Sequence, residues 1–71
     1  VNTMHDVLGY LTDDFIRCDC GIHGAQLSEE DCARIREEVI RLHTRGEFHH
    51  TGIYWIANRL AGEGEIHPLL P

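Results

Sequence analysis

Apolar positions recur along this chain at helical spacing. Met4, Val7, Leu8, Leu11 and Phe15 follow one another at intervals that bring them onto one face of a helix over residues 3–17. Asn2 or Thr3 can cap it. Gly9 costs such a helix about 1 kcal/mol relative to alanine, which suggests a close approach by a second helix.

The second pattern is the strongest. Ser28 is a good N-cap, and Glu29, Glu30 and Asp31 follow in the first turn, where the helix dipole favours acids. Ser28-x-x-Asp31 resembles a capping box with Asp in the place of Glu or Gln. Cys32, Ile35, Val39 and Leu42 form the apolar stripe, with Ala33 and Ile40 at its margins. The opposite face offers the pairs Glu30/Arg34, Arg34/Glu38 and Glu37/Arg41 at i,i+4. Arg41, His43 and Arg45 lie near the end, and Gly46 is a natural residue to stop on.

The third pattern covers residues 51–61. Ile53, Ile56, Ala57 and Leu60 share a face, Thr51 can cap, and Gly62 and Gly64 end it. Tyr54 and Trp55 lie beside the stripe. The remaining residues, 65–71, read as a short extended tail in which Ile66, Leu69 and Leu70 either close over the core or reach a partner. The fold expected is all-α: one helical domain over residues 1–71, with three helices, a Gly/Cys-rich first loop and a short extended C-terminal tail.

Length adds a constraint. A chain of 71 residues buries only about 60% of its unfolded surface, so a staple such as a metal or a partner helps it. A hydrophobic fraction of 42% suits a globular domain. No apolar run approaches the roughly 20 residues a membrane span needs, and no secretory leader opens the sequence. The three cysteines are an odd number, unlike a secreted disulfide framework. The expectation is a cytoplasmic protein, in which clustered Cys and His lean towards metal.

Twelve acids face six bases, all of them arginine. The absence of lysine suggests a GC-rich genome, and the opening Val1-Asn2-Thr3-Met4 resembles a literally translated GTG start. Both fit a bacterial or phage gene, with a processed or trimmed N-terminus as the alternative reading of the opening residues. A net charge of −6 disfavours generic phosphate binding, which depends on Lys and Arg.

The candidate chemistry centres on Arg17-Cys18-Asp19-Cys20-Gly21-Ile22-His23-Gly24. Cys18, Cys20 and His23 in the loop, with Cys32 from the second helix, form C-x-C-x2-H-x8-C. Four such ligands suit a closed tetrahedral zinc site. Cys32 near a helix N-terminus is expected to have a lowered thiol pKa. The competing reading is three ordinary cysteines: C-x-C is less usual than C-x2-4-C, and Cys32 also fits the apolar stripe. A three-Cys, one-His iron–sulfur site is a further alternative. His43, His49, His50 and His67 offer a weaker second cluster. His43 cannot share an ion with Cys32, since eleven helical residues span roughly 16 Å.

For function, the residues favour a small regulatory or inhibitory module that binds another protein with a basic surface. Phe48, Tyr54, Trp55, Leu69 and Leu70 are the candidate contacts, and the aromatics fit a small core equally well. The alternative is a helix-turn-helix regulator, with Thr51, Asn58 and Arg59 of the third helix meeting DNA. Its turn is longer than usual. No nucleotide-binding, hydrolase or metalloprotease motif is present, so no enzyme is expected.

Overall fold

A computed structural model of the chain describes residues 9, 11–20, 26–47 and 52–69. Among these are three helices: α1 (Asp13–Asp19), α2 (Glu29–Thr44) and α3 (Gly52–Gly62). α2 packs against both of the others. No strand occurs among the described residues, but one antiparallel bridge joins Gln26 to Leu69. The all-α, three-helix reading therefore holds.

The first helix departs from its expected course. A single helix over residues 3–17 is interrupted, because Leu11 and Thr12 leave helical geometry although Gly9 is helical. Thr12 is extended, and its Oγ1 accepts from the N–H of Phe15 at 3.2 Å. Asp13 and Asp14 then occupy the first turn, where the dipole favours them. This new N-terminus turns the Leu11 side chain fully into the core. The freed Leu11 carbonyl accepts from Arg36 Nε at 2.9 Å. Gly9 is exposed, and no described atom lies within 4 Å of where a Cβ would stand. The close helix approach expected at Gly9 is therefore not made by the described residues. The rest of that apolar pattern, Met4, Val7 and Leu8, lies outside the described residues.

The second helix begins and ends where its signals place it. Ser28 Oγ accepts from the N–H of Asp31 at 3.1 Å, half of the expected capping box. The reciprocal half is replaced: Asp31 Oδ1 accepts from the backbone N–H of His67 at 3.2 Å. At the other end Gly46 has φ +72°, a conformation that glycine adopts without strain. The Gly46 N–H donates to His43 O at 3.0 Å and the Glu47 N–H to Leu42 O at 2.8 Å, a Schellman closure. α3 ends the same way at Gly64, φ +76°, with bonds to Ala61 O and Leu60 O.

The core draws on every element. Leu11, Ile16, Ile35, Val39, Ile56, Leu60 and Ile66 are fully buried, joined by Leu27, Ile53, Ala57, Cys20 and Cys32. Each of the larger aliphatics stabilises the fold by about 1.5–3 kcal/mol. Phe15 and Leu42 pack on its edge. Ile66 thus closes the core from the tail, and the Gln26–Leu69 bridge holds it there through backbone bonds of 2.7 and 2.8 Å. Leu69 itself is exposed, and Leu70 lies outside the described residues.

Two arginines fasten the segments leading into the helices. Arg36 of α2 bonds Leu11 O and Asp13 at the entry to α1. Arg17 of α1 donates from Nε to Leu27 O at 3.0 Å, just before α2. Each helix thus secures the start of the other.

Candidate functional site: an aromatic face beside an ionic hub

α3 buries Ile53, Ile56, Ala57 and Leu60, which leaves the neighbouring positions outside. Trp55 is 65% exposed and Tyr54 50% exposed. Neither is core, which settles the choice the sequence left open for these two rings. Phe48 lies outside the described residues.

Arg59, one turn beyond Trp55, sits over the indole with its guanidinium carbon 6.0 Å from the ring centroid. Its position is fixed from the other side by Glu38 of α2, to which Arg59 Nη2 donates. Glu63 stands 3.4 Å from Arg59 Nη1.

Glu38 is the centre of this arrangement. It is buried, at 2% exposure, and three of the six arginines converge on it. Arg41 donates from Nε to Oε1 at 3.1 Å and from Nη2 to Oε2 at 2.5 Å, a forked pair. Arg34 reaches Oε1 at 3.3 Å, and Arg59 reaches Oε2. These guanidinium groups, Arg41 foremost, hold the Glu38 carboxyl down at about 2 against the opposing effect of burial. Arg34 continues the chain of charges to Glu65, donating from Nε at 3.0 Å and from Nη2 at 2.8 Å. The hub therefore ties α2 to α3 and to the turn after it.

Of the i,i+4 pairs expected on a solvated face, Arg34/Glu38 forms, but inward. Arg41 chooses Glu38 at i,i+3, and Arg34 approaches Glu37 at 3.7 Å. A sign of this was available: Glu38 lies between Ile35 and Val39, two buried positions of the stripe.

Every arginine of the chain is in an ion pair: Arg17 with Asp14, Arg36 with Asp13, Arg45 with Glu47, and Arg34, Arg41 and Arg59 as described. Asp19, Glu29 and Glu30 are exposed and form no ion pair among the described residues. The charge left over at the surface is thus acidic.

The helix-turn-helix candidates fare differently. Arg59 is engaged by Glu38, Glu63 and Trp55. Asn58 is exposed, and its Nδ2 donates to the carbonyl of Tyr54 at 2.8 Å. Thr51 lies outside the described residues.

The thiols separate by environment. Cys18, in the last turn of α1 and not in the expected loop, is exposed; Cys20, the C-cap of α1, and Cys32 are buried, and all three are free. Cys20 Sγ donates to Arg17 O at 3.6 Å. Burial pushes the Cys32 thiol up, opposite to the lowering expected from its place near a helix N-terminus. Desolvation in the apolar core outweighs the lowering by the nearby Arg17 and Arg36 charges. His23 lies outside the described residues. Among the described residues no three His, Cys, Asp or Glu side chains gather where one ion could bind, so Cys18, Cys20 and Cys32 do not by themselves form a zinc cradle. Of the other histidines, His43 is half-buried and His67 exposed, while His49 and His50 lie outside the described residues.

A second feature escaped the sequence. Asp31 is a buried carboxylate, 7% exposed, and its Oδ2 has no hydrogen-bond partner among the described residues. No helix among the described residues is long and apolar enough to cross a membrane. No protein-family model, curated protein or solved structure matches this chain.

Proposed function

We propose that this chain is a small acidic binding module, of a regulatory or inhibitory kind, that docks on a basic surface of another protein through α3. The observation that carries this reading is the exposure of Tyr54 and Trp55 side by side, in a chain whose arginines are all paired internally. Large aromatics anchor interfaces when a partner desolvates them. Surplus acids steer a basic partner towards them and repel nucleic acid. The pairing of Arg59 with Glu38 weighs against the DNA-reading alternative, because base or phosphate contact would have to break it. Three free thiols fit a reducing, cytoplasmic setting.

The test is affinity capture from a native lysate with the wild-type chain and with Trp55→Ala, both checked for helix content and melting. A partner retained by the wild type and lost by an equally folded Trp55→Ala is the expected result. Equal retention sinks the proposal. A salt-sensitive shift of duplex DNA at low micromolar protein would restore the DNA alternative.

A structural zinc on Cys18, Cys20, His23 and Cys32 stands as a second proposal. It rests on the C-x-C-x2-H-x8-C spacing, and it requires the exposed Cys18 to turn inward. Native mass spectrometry of protein purified without added metal is expected to show one zinc per chain. Metal-free protein that melts unchanged in chelator overturns it.

A further inference from the structure

Trp55 is the only tryptophan in the chain. Arg59 covers part of one indole face, yet the residue remains 65% exposed. The guanidinium of Arg59 is not available to a partner, because Glu38 and Glu63 hold it. Its charge is partly screened by those carboxylates, which reduces its repulsion of a second cation brought to the same ring. What the surface offers is an electron-rich indole face, in a chain with a charge of −6. An indole is the strongest aromatic acceptor for a cation, and arginine is the cation that most often stacks on it.

We propose that Trp55 receives an arginine or lysine side chain from a basic segment of the protein partner, with Arg59 acting as a positioning residue that fixes the indole from behind. This deepens the docking reading above and rests on it. A second copy of this chain is a poor occupant: its arginines are all paired, and its remaining surface charge has the same sign. A purely apolar occupant leaves the surplus acids unmatched.

The test uses the emission of Trp55, which reports the site alone. The probes are a short arginine-bearing peptide, the same peptide with citrulline in place of arginine, and a duplex DNA. The expected result is a saturable, salt-weakened emission change with the arginine peptide and none with the citrulline peptide or DNA. Calorimetry with Trp55→Leu, which keeps an apolar side chain but removes the ring, is expected to show binding about three- to tenfold weaker. Arg59→Gln is expected to weaken binding less than Trp55→Leu does. Equal binding of the two peptides, or equal binding by Trp55→Leu, overturns the assignment of Trp55 as a cation receiver. Neither result touches the docking reading, which fails if the captured partner survives Trp55→Ala. A response to DNA that matches the arginine peptide overturns both.

Discussion

Two buried carboxylates lie two turns apart on α2, and they are served very differently. Asp31 and Glu38 are separated by seven residues, about 10 Å along the axis and close to one line down the helix. Both are turned inward. Glu38 has both oxygens bonded, by three arginines from two helices. Asp31 accepts one backbone N–H and, among the described residues, leaves Oδ2 without a partner. A buried charge costs several kcal/mol unless its lone pairs are matched. The helix therefore carries one carboxylate that fastens the fold and one that is tolerated near the helix N-terminus, where the dipole favours a negative charge.

The largest expected effect follows from removing the first. Glu38→Ala leaves three guanidinium groups facing one another with no anion between them. Arg34, Arg41 and Arg59 are partly open to water and can re-solvate, so the loss falls below the roughly 3–5 kcal/mol seen when a stranded charge is fully buried. We expect about 2–3 kcal/mol by urea denaturation, a large share of the stability of so small a domain. A loss under about 0.5 kcal/mol would falsify the view that this hub joins α2 to α3.

Acid should reveal the same residue without mutation. The Glu38 carboxyl is held at about 2, below its ordinary value of 4.5. The unfolded chain thus binds a proton that the folded chain refuses, and stability falls as pH falls. Its contribution is complete above about pH 4.5 and is lost progressively towards pH 2. Allowing for solvent screening of the arginines, it amounts to something on the order of 2 kcal/mol. Arg34 shifts the Glu65 carboxyl in the same direction, but that pair is exposed and contributes little to the acid response. Melting followed from pH 6 down to pH 2 should fall much less steeply in Glu38→Ala than in the wild type. Parallel curves would show that other carboxylates govern the acid response.

The legibility of these features differs in kind. The span of α2 and the buried face of α3 were readable because caps, glycines and apolar spacing are local signals, and Ser28, Gly46, Ile53, Ile56, Ala57 and Leu60 all behave as their positions imply. The break before α1 was also local. Thr12-Asp13-Asp14 has the form of a helix start, but it sits inside a longer run of helical spacing that masks it. Glu38 was not readable in the same way. Its place between Ile35 and Val39 hinted at the inward position, but its pairing with Arg59, 21 residues along and on another helix, follows from no spacing rule. The same holds for Asp31, whose partner is a backbone N–H of residue 67. For the candidate surface, the sequence named Tyr54 and Trp55, but only the packing of α3 decided that they face outward.

Asp31 offers the sharper test of the contrast. Asp31→Ala removes the acceptor for the His67 N–H, a bond worth about 1 kcal/mol. It also removes an unpartnered buried oxygen, which offsets part of that loss. A net cost of at most about 1 kcal/mol is expected, with hydrogen exchange quickened at His67 and Leu69 before anywhere else. A cost equal to that of Glu38→Ala would mean that Asp31 holds a further group, and the contrast between the two carboxylates would fail.

The smallest effect is expected where the bond geometry is better than at the hub's own weakest link. Arg34 donates twice to Glu65, at 3.0 and 2.8 Å, and only once to Glu38, at 3.3 Å. Distance alone would rank Glu65 as its stronger partner. Burial reverses the ranking, because Glu65 is exposed and Glu38 is not. Water replaces an exposed ion pair at little cost, while nothing replaces a buried one. Glu65→Gln should therefore leave the melting midpoint within the scatter of replicate scans at neutral pH, at low and at high salt. Glu38→Gln should lower it clearly under both conditions, since a neutral amide cannot match three guanidinium groups. If the two substitutions cost the same, bond length rather than burial sets the value of a carboxylate on this helix.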